Sequence, residues 1–105
     1  MNVIVSPPAR EDAILTQDRL EREQSGYGLA FAEEFRRAIE QIGTMPRLFS
    51  PTEDGPDDIE TREYYIARFL YRVIFVIEVD KASVIALVHA RKRPGSWIGR
   101  LSDWN

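Results

Sequence analysis

Two hydrophobic periodicities divide the chain, one helical and one extended. In the first half, an apolar stripe recurs at the spacing of one face of an α-helix, and its members are Phe31, Phe35, Ala38 and Ile42. In the second half, alternate residues share one face of an extended strand, and these are Tyr71, Val73, Phe75, Ile77 and Val79. The pattern therefore predicts helices followed by strands.

The first half predicts one strand and two helices. Residues 2–6 contain a β-branched run that is typical of a strand. Ser6 is predicted to cap a polar helix that continues to about Glu23, because a proline follows it at the first helical position. The second helix is predicted over residues 29–42, with Gly43 as its C-terminal cap. The short connection between the two helices indicates an antiparallel hairpin.

The second half predicts a loop and an antiparallel sheet. Prolines and acidic residues over positions 45–59 are typical of a loop. Strands are predicted at 62–67, 70–79 and 84–90, with a turn at 80–82. This order predicts an α+β fold, in which an N-terminal strand and an antiparallel helix hairpin pack on a small antiparallel β-sheet meander. We expect a single domain over residues 1–105.

Composition excludes several classes of protein. The chain has 105 residues, of which 44% are hydrophobic and 30% charged, as in ordinary globular domains. It has no cysteine, which excludes disulfides, thiolate catalysis and cysteine-ligated metals. No apolar run approaches the roughly 18 residues that span a bilayer, and the N-terminus has no secretory signal pattern. We expect a cytoplasmic protein that does not contact a membrane.

The net charge of −3 conceals a division between the two halves. Residues 1–60 contain 6 basic and 13 acidic residues, a net charge of −7, whereas residues 61–105 contain 8 basic and 4 acidic residues, a net charge of +4. A division of this kind informs about partners rather than about the fold. The sheet and the tail are therefore the part predicted to meet an anionic partner.

Motifs for cofactors and metals are absent from the sequence. There is no glycine-rich phosphate loop and no nucleophile elbow, so no cofactor is predicted. His89 is the only histidine, which excludes a metal site built on a histidine pair. The remaining carboxylate cluster consists of Glu53, Asp54, Asp57, Asp58 and Glu60. Because a charge run in a proline-rich loop is typical of solvated surface, we predict no metal site.

Arginines concentrate on the predicted sheet and directly after it. The candidates are Arg62, Arg68, Arg72, Arg91, Lys92, Arg93 and Arg100. Guanidinium groups on neighbouring strands can bind phosphate or carboxylate through paired hydrogen bonds. The alternative is that these arginines are surface charges that pair with acidic residues of the same sheet, namely Glu60, Glu63 and Glu78.

His89 and Trp97 each have a functional and a structural interpretation. Histidine titrates near neutral pH, which suits His89 to proton transfer, with a tyrosine such as Tyr71 as a second donor. The alternative is a packing role, because Val88 and Ala90 flank it on a strand. Trp97 follows Pro94-Gly95-Ser96, where it either contacts a partner or packs back on the domain.

Several short motifs together resemble a known family. They are Pro8-Ala9 after the first strand, the apolar pattern of the second helix, Met45-Pro46-x-Leu48-Phe49, Arg62, Arg68-Phe69-x-Tyr71, and Val88-His89-Ala90-Arg91-x-Arg93-Pro94-x-x-Trp97. In this order and spacing, over residues 2–100, the chain resembles the RelE/ParE toxins of bacterial type II toxin–antitoxin systems.

The resemblance implies a fold of two helices against a small antiparallel sheet. It also implies a cognate antitoxin that neutralises the toxin in a hetero-oligomer. The basic half would attract an acidic antitoxin segment, and a groove beside the helix hairpin or the sheet edge would receive its hydrophobic residues.

Three activities are compatible with the resemblance. ParE-like toxins inhibit DNA gyrase, are associated with plasmid stabilisation and have no established nuclease activity. RelE-like toxins cleave mRNA in the ribosome without a metal; in that case His89 would be the general base, and Arg68 and Arg91 would stabilise the phosphate charge. The third possibility is partner binding alone, as in a non-toxic relative of these toxins.

Charge favours the ParE-like activity. The chain has only two lysines and a pI of about 5.2, whereas binding to ribosomal RNA depends on a dense positive surface. The target implied by the resemblance is DNA gyrase or the ribosome with its mRNA, and the residues that we predict to bind it are Arg62, Arg68, Arg72, Arg91, Arg93 and Trp97.

Overall fold

The computed structural model describes residues 1–102 of the chain. Its elements are, in chain order, strand β1 (Asn2–Val5), helix α1 (Pro7–Glu23), helix α2 (Tyr27–Thr44), strand β2 (Thr61–Ile66), strand β3 (Tyr71–Ile77) and strand β4 (Lys81–His89). Short 3₁₀ helices lie at Pro46–Leu48 and Ile98–Ser102. The predicted order of elements is therefore confirmed. No helix within residues 1–102 combines the length and apolar character that crossing a bilayer requires.

The strands form one mixed sheet in the order β1-β4-β3-β2. The three later strands are the predicted antiparallel meander. The first strand joins that meander at its far side, parallel to β4, with Val5 opposite Val84. A parallel pair needs a long crossover connection, and here the helix hairpin is part of it. β4 consequently lies inside the sheet, although β1 covers only its first four residues.

The helix hairpin covers one face of the sheet. Phe31, Ala38 and Ile42 of α2 are almost fully buried, in one cluster with Val73 and Phe75 of β3. The ring of Phe31 meets Tyr71 and Phe69 edge-on, with centroid distances of 5.8 Å in both cases. The predicted stripe of α2 is thus confirmed as the face that packs on the sheet.

The ends of the helices agree only partly with the sequence prediction. Ser6 caps α1 as expected, and its hydroxyl accepts a hydrogen bond from the Ala9 amide at 3.3 Å. The prediction of Gly43 as the C-terminal cap is wrong, because α2 continues through Gly43 to Thr44. The helix also begins two residues earlier than predicted, at Tyr27. A Cβ atom at position 43 would lie 3.2 Å from the carbonyl oxygen of Met1. The glycine therefore allows the chain at β1 to approach α2 closely.

The hairpin between β3 and β4 is displaced from its predicted position. The predicted turn at 80–82 is wrong, since Lys81 and Ala82 already belong to β4 and Ala82 pairs with Ile77. The turn consists of Val79 and Asp80, and the amide of Glu78 donates to the carbonyl of Lys81 at 2.8 Å. Val79 is fully exposed rather than part of the apolar strand face. A two-residue connection is the common form for an antiparallel hairpin.

The second face of the sheet is more buried than its half-polar sequence predicts. Residues 94–102, here called the tail segment, fold back across this face, and Trp97 packs there against Ile74 and Val76. The register between β3 and β4 shifts between Ile74 and Phe75. This bulge places the adjacent residues Ile85 and Ala86 of β4 together in the second-face cluster.

Replacing Phe31 with alanine tests the helix–sheet core. We expect Phe31→Ala to lower the free energy of unfolding by about 3–5 kcal/mol, because it empties a fully buried aromatic site. The matched control is Leu29→Ala on the same helix, where the side chain is 69% exposed and the expected loss is at most about 0.5 kcal/mol. Urea unfolding measures both, and equal losses would contradict this account of the core.

Candidate functional site

The two arginines within the strands are paired with carboxylates of this chain. The Arg62 guanidinium donates to Glu60 at 2.9 Å and to the carbonyl oxygen of Phe49 at 2.8 Å. The Arg72 guanidinium donates to Asp54 at 2.7 Å and to Glu63 at 2.8 Å. The alternative of intramolecular pairing with Glu60 and Glu63 is therefore confirmed at these positions. Both guanidinium groups therefore already have carboxylate partners within the chain.

Asp54 is the centre of the most extensive polar network. Besides Arg72, its carboxylate accepts hydrogen bonds from the Gly95 amide and the Trp97 indole, each at 2.9 Å. The side chains of Arg72 and Asp54 are only 15% and 12% exposed. Hydrogen bonds from Arg72 hold the pKa of Asp54 far below its usual range, and the same contact raises the pKa of Arg72. The network joins the acidic loop to β3 and to the tail segment.

A second carboxylate of this region, that of Glu60, also pairs with arginines. Glu60 accepts hydrogen bonds from Arg47 and Arg62, which lower its pKa. No group of three histidine, aspartate or glutamate side chains that could hold a metal ion occurs among residues 1–102. The acidic loop instead supplies carboxylates to arginines of the same chain.

Arg68, Arg91 and Arg93 are the exposed members of the predicted target-binding set. Arg68 lies in the turn before β3, and its guanidinium stands 5.1 Å from the centre of the Phe69 ring and 6.0 Å from that of Tyr27. Arg91 and Arg93 follow β4 directly. Trp97, the remaining member, is only 2% exposed, so the packing interpretation of this residue is confirmed.

His89 lines a groove of about 330 Å³ between α1, the end of β4 and the tail segment. Its ring meets the ring of Tyr71 edge-on, with a centroid distance of 5.1 Å. Asp12, Lys92 and Arg100 also line this groove, whereas Arg68 and Arg91, the expected partners of a catalytic His89, do not. We call this space the His89 groove.

Hydrogen bonding limits what the imidazole of His89 can do. Its Nδ1 accepts a bond from the Arg91 amide at 3.1 Å. In the neutral ring the proton then lies on Nε2, so that nitrogen is a donor and has no free lone pair. The hydroxyl of the neighbouring Tyr71 accepts a short hydrogen bond from Arg19.

Sequence reasoning missed the contribution of α1 to this region. Asp12, Thr16 and Arg19 are spaced at i, i+4 and i+7, so they share one face of the helix. Thr16 is buried, while Asp12 and Arg19 contact residues of the sheet or the tail segment. This row of polar residues at helical spacing, next to the buried face of α1, was the signal that could have located the groove.

Comparisons with known proteins support the fold. No family model matches the chain, and no curated protein matches its sequence. A chain from the solved structure "Chromosomal ParDE TA system from P. aeruginosa" superposes with a TM-score of 0.73 over 87% of this chain and 97% of that chain, at 9% sequence identity. Although the sequence identity is low, the superposition confirms the ParE-like α+β fold that the resemblance implies.

Replacing Asp54 with asparagine tests the polar network. We expect Asp54→Asn to lower the free energy of unfolding at pH 7 by about 2–3 kcal/mol, because Arg72 loses one of its two charged partners in a mostly buried site and keeps only Glu63. Since the folded pKa of Asp54 lies below its unfolded value, this stabilisation is complete above roughly pH 5 and declines as the pH falls through the acidic range.

Urea unfolding at several pH values between acidic and neutral measures the difference in the free energy of unfolding between this variant and the unmodified chain. Glu33→Gln is the control, because its ion pair with Arg36 is exposed and contributes at most about 1 kcal/mol. A difference for Asp54→Asn that stays constant down to strongly acidic pH would contradict the assigned ion pair.

Proposed function

We propose that this protein is the toxin of a toxin–antitoxin module, that it inhibits DNA gyrase in the manner of ParE, and that a cognate antitoxin neutralises it. The observation that carries the proposal is the match of nearly the whole fold to a chain of a ParDE system. The short sequence motifs of the RelE/ParE family, above all the segment from Val88 to Trp97, support it independently.

Electrostatics support gyrase over the ribosome as the target. Only two lysines occur in the chain, and three arginines of the basic half, Arg62, Arg72 and Arg100, pair with carboxylates of the acidic half or its border. Binding to RNA through phosphates depends on free positive charges. The surface that remains positive is small, and it suits a protein contact better than an extended RNA.

Arg91 and Arg93 are the exposed arginines that we propose for the contact with gyrase. Both are sequence neighbours of Lys92, which lines the His89 groove, and we call Arg91, Lys92 and Arg93 the rim. Interfaces often depend on a few arginines among many neutral contacts. The paired arginines of the sheet would then support the fold instead of the target contact.

A supercoiling assay with purified gyrase tests this assignment. The unmodified chain is expected to inhibit supercoiling, and its expression without an antitoxin is expected to arrest growth with DNA-damage signalling. The double variant Arg91→Ala, Arg93→Ala should need about tenfold more protein for the same inhibition, which corresponds to about 1.4 kcal/mol of lost contact energy.

Arg22→Ala is the matched control, because Arg22 is an exposed arginine on α1, outside the rim. It should inhibit gyrase as the unmodified chain does. Undisturbed supercoiling at every concentration of the folded chain would contradict the gyrase assignment.

RelE-like cleavage of mRNA is the second candidate, because His89, Tyr71 and Lys92 line one groove. The hydrogen bond on Nδ1 argues against His89 as a general base, since that role needs a lone pair facing the substrate. This candidate predicts cuts in translated mRNA that His89→Ala reduces by at least about a hundredfold. Under the gyrase assignment, no such cuts appear and His89→Ala still inhibits supercoiling.

A further inference from the structure

Within residues 1–102, the second half of β4 has no neighbouring strand on the side of β1. β1 pairs only with the segment from Lys81 to Val84, and its extension ends with the Ser6 amide, which donates to the carbonyl of Val84. β4 continues to His89, and within residues 1–102 no strand lies beside its last five residues on that side. We call residues 85–89 the open β4 edge. Unpaired edges of this kind are templates for another extended chain.

Two side chains occupy the hydrogen-bonding groups of this edge. The carboxylate of Asp12, from α1, accepts a bond from the Leu87 amide at 3.0 Å. The guanidinium of Arg100, from the tail segment, donates to the carbonyl of Ile85 at 3.1 Å. Asp12 and Arg100 also bind each other, at 2.9 Å between Oδ1 and Nη2. The ion pair thus supplies one acceptor and one donor where an adjacent strand would supply its own.

The surroundings of the edge are accessible and positively charged. The His89 groove runs beside the edge and is lined by Leu87, Val88 and His89. Lys92 and Arg100 also line it, and Asp12 is the only acidic residue among residues 1–102 that does so. The side chains of Arg100 and Asp12 are 35% and 20% exposed, so solvent reaches the ion pair. An extended chain with carboxylates complements this site in both shape and charge.

We propose that the open β4 edge binds an extended, acidic segment of a partner protein by adding it to the sheet as a further strand. A carbonyl of the segment takes the Leu87 amide from Asp12, and an amide of the segment takes the Ile85 carbonyl from Arg100. The Asp12–Arg100 pair moves outward toward solvent, and carboxylates of the segment meet the rim. Main-chain hydrogen bonds supply affinity, and the alternating side chains supply specificity.

The inference rests on the proposed function in one respect, since it takes the partner to be the antitoxin. It also assigns a function to the ion pair. In the absence of the partner, Asp12 and Arg100 cover an edge that would otherwise pair with a second copy of this chain.

Peptide binding to the purified chain tests the proposal without any assay of toxicity. The probe is a fluorescently labelled peptide of about six residues, the length of an average strand, in which valine and glutamate alternate. Fluorescence anisotropy should show saturable binding. A peptide with lysine in place of glutamate should bind at least about tenfold more weakly, because like charges meet at the rim. A peptide methylated on alternate backbone nitrogens should lose binding to a similar extent.

The Asp12→Asn variant tests whether the Asp12–Arg100 ion pair competes with the peptide for the open β4 edge. It removes the charge that holds Arg100, so the acidic peptide should bind about tenfold more tightly than to the unmodified chain. Glu33→Gln, on the exposed surface of α2, is the control and should leave binding unchanged. Hydrogen exchange at the Leu87 amide gives a local readout: it should be faster in free Asp12→Asn and slow again when the peptide is bound.

Four results would overturn the proposal. They are the absence of binding at about 1 mM peptide, equal binding of the lysine peptide, undiminished binding of the methylated peptide, and a concentration-dependent dimer of Asp12→Asn that excludes the peptide and so makes a second copy the occupant. A chain that arrests growth but fails these tests disproves only the edge assignment. A chain that passes them but never arrests growth disproves only the toxin assignment.

Discussion

The carboxylate of Asp54 holds together parts of the chain that no regular element connects. It accepts hydrogen bonds from Arg72 on β3 and from Gly95 and Trp97 in the tail segment. Without this connection, the tail segment would keep the apolar contacts of Trp97 and Leu101 and the bonds of Arg100 to Asp12 and to the Ile85 carbonyl. The end of the segment that carries Gly95 and Trp97 would lose its polar contact with β3, and a sheet of this size is stable only when its apolar surface is buried. The position of the His89 groove follows as well, because the tail segment forms one of its walls.

In the folded protein, part of the division of charge along the chain is used in ion pairs between the acidic and the basic half. The pairs Asp54–Arg72 and Asp12–Arg100 each join a carboxylate of the acidic half to an arginine of the basic half. Part of the asymmetry is therefore complementarity within the domain, and a smaller part remains for partners. That remainder is concentrated at the end of β4, where Arg91, Lys92 and Arg93 are exposed. The two contacts that we propose, with gyrase and with an acidic segment, both use this end of the molecule, so under these proposals a bound acidic segment would block the gyrase contact.

The candidate site could be predicted from the sequence only in part. His89 and the arginines were identifiable from residue type and from their position near the end of the chain. Their surroundings were not, because the groove that His89 lines is formed with Tyr71 and Lys92, and neither Arg68 nor Arg91 lines it. The partner of Arg100 lies 88 residues away, on the first helix. Pairings over such separations depend on how the helix hairpin settles on the sheet, and no local pattern records that geometry.

The sequence by itself determined the elements and the class of fold. Helical and strand periodicities, the Ser6 cap and the proline positions act over a few residues, so they can be recognised along the chain. The cap predicted at Gly43 was wrong because the glycine serves the close approach of the chain at β1 to α2. The turn after β3 was predicted too late in the chain because Ala82 already pairs with Ile77. Only the tertiary structure decided that β1 runs parallel to β4, that the tail segment covers the second face, and that an ion pair covers the open β4 edge. The physical reason is that these features depend on contacts between distant segments, whose burial and charge are fixed only when the layers pack together.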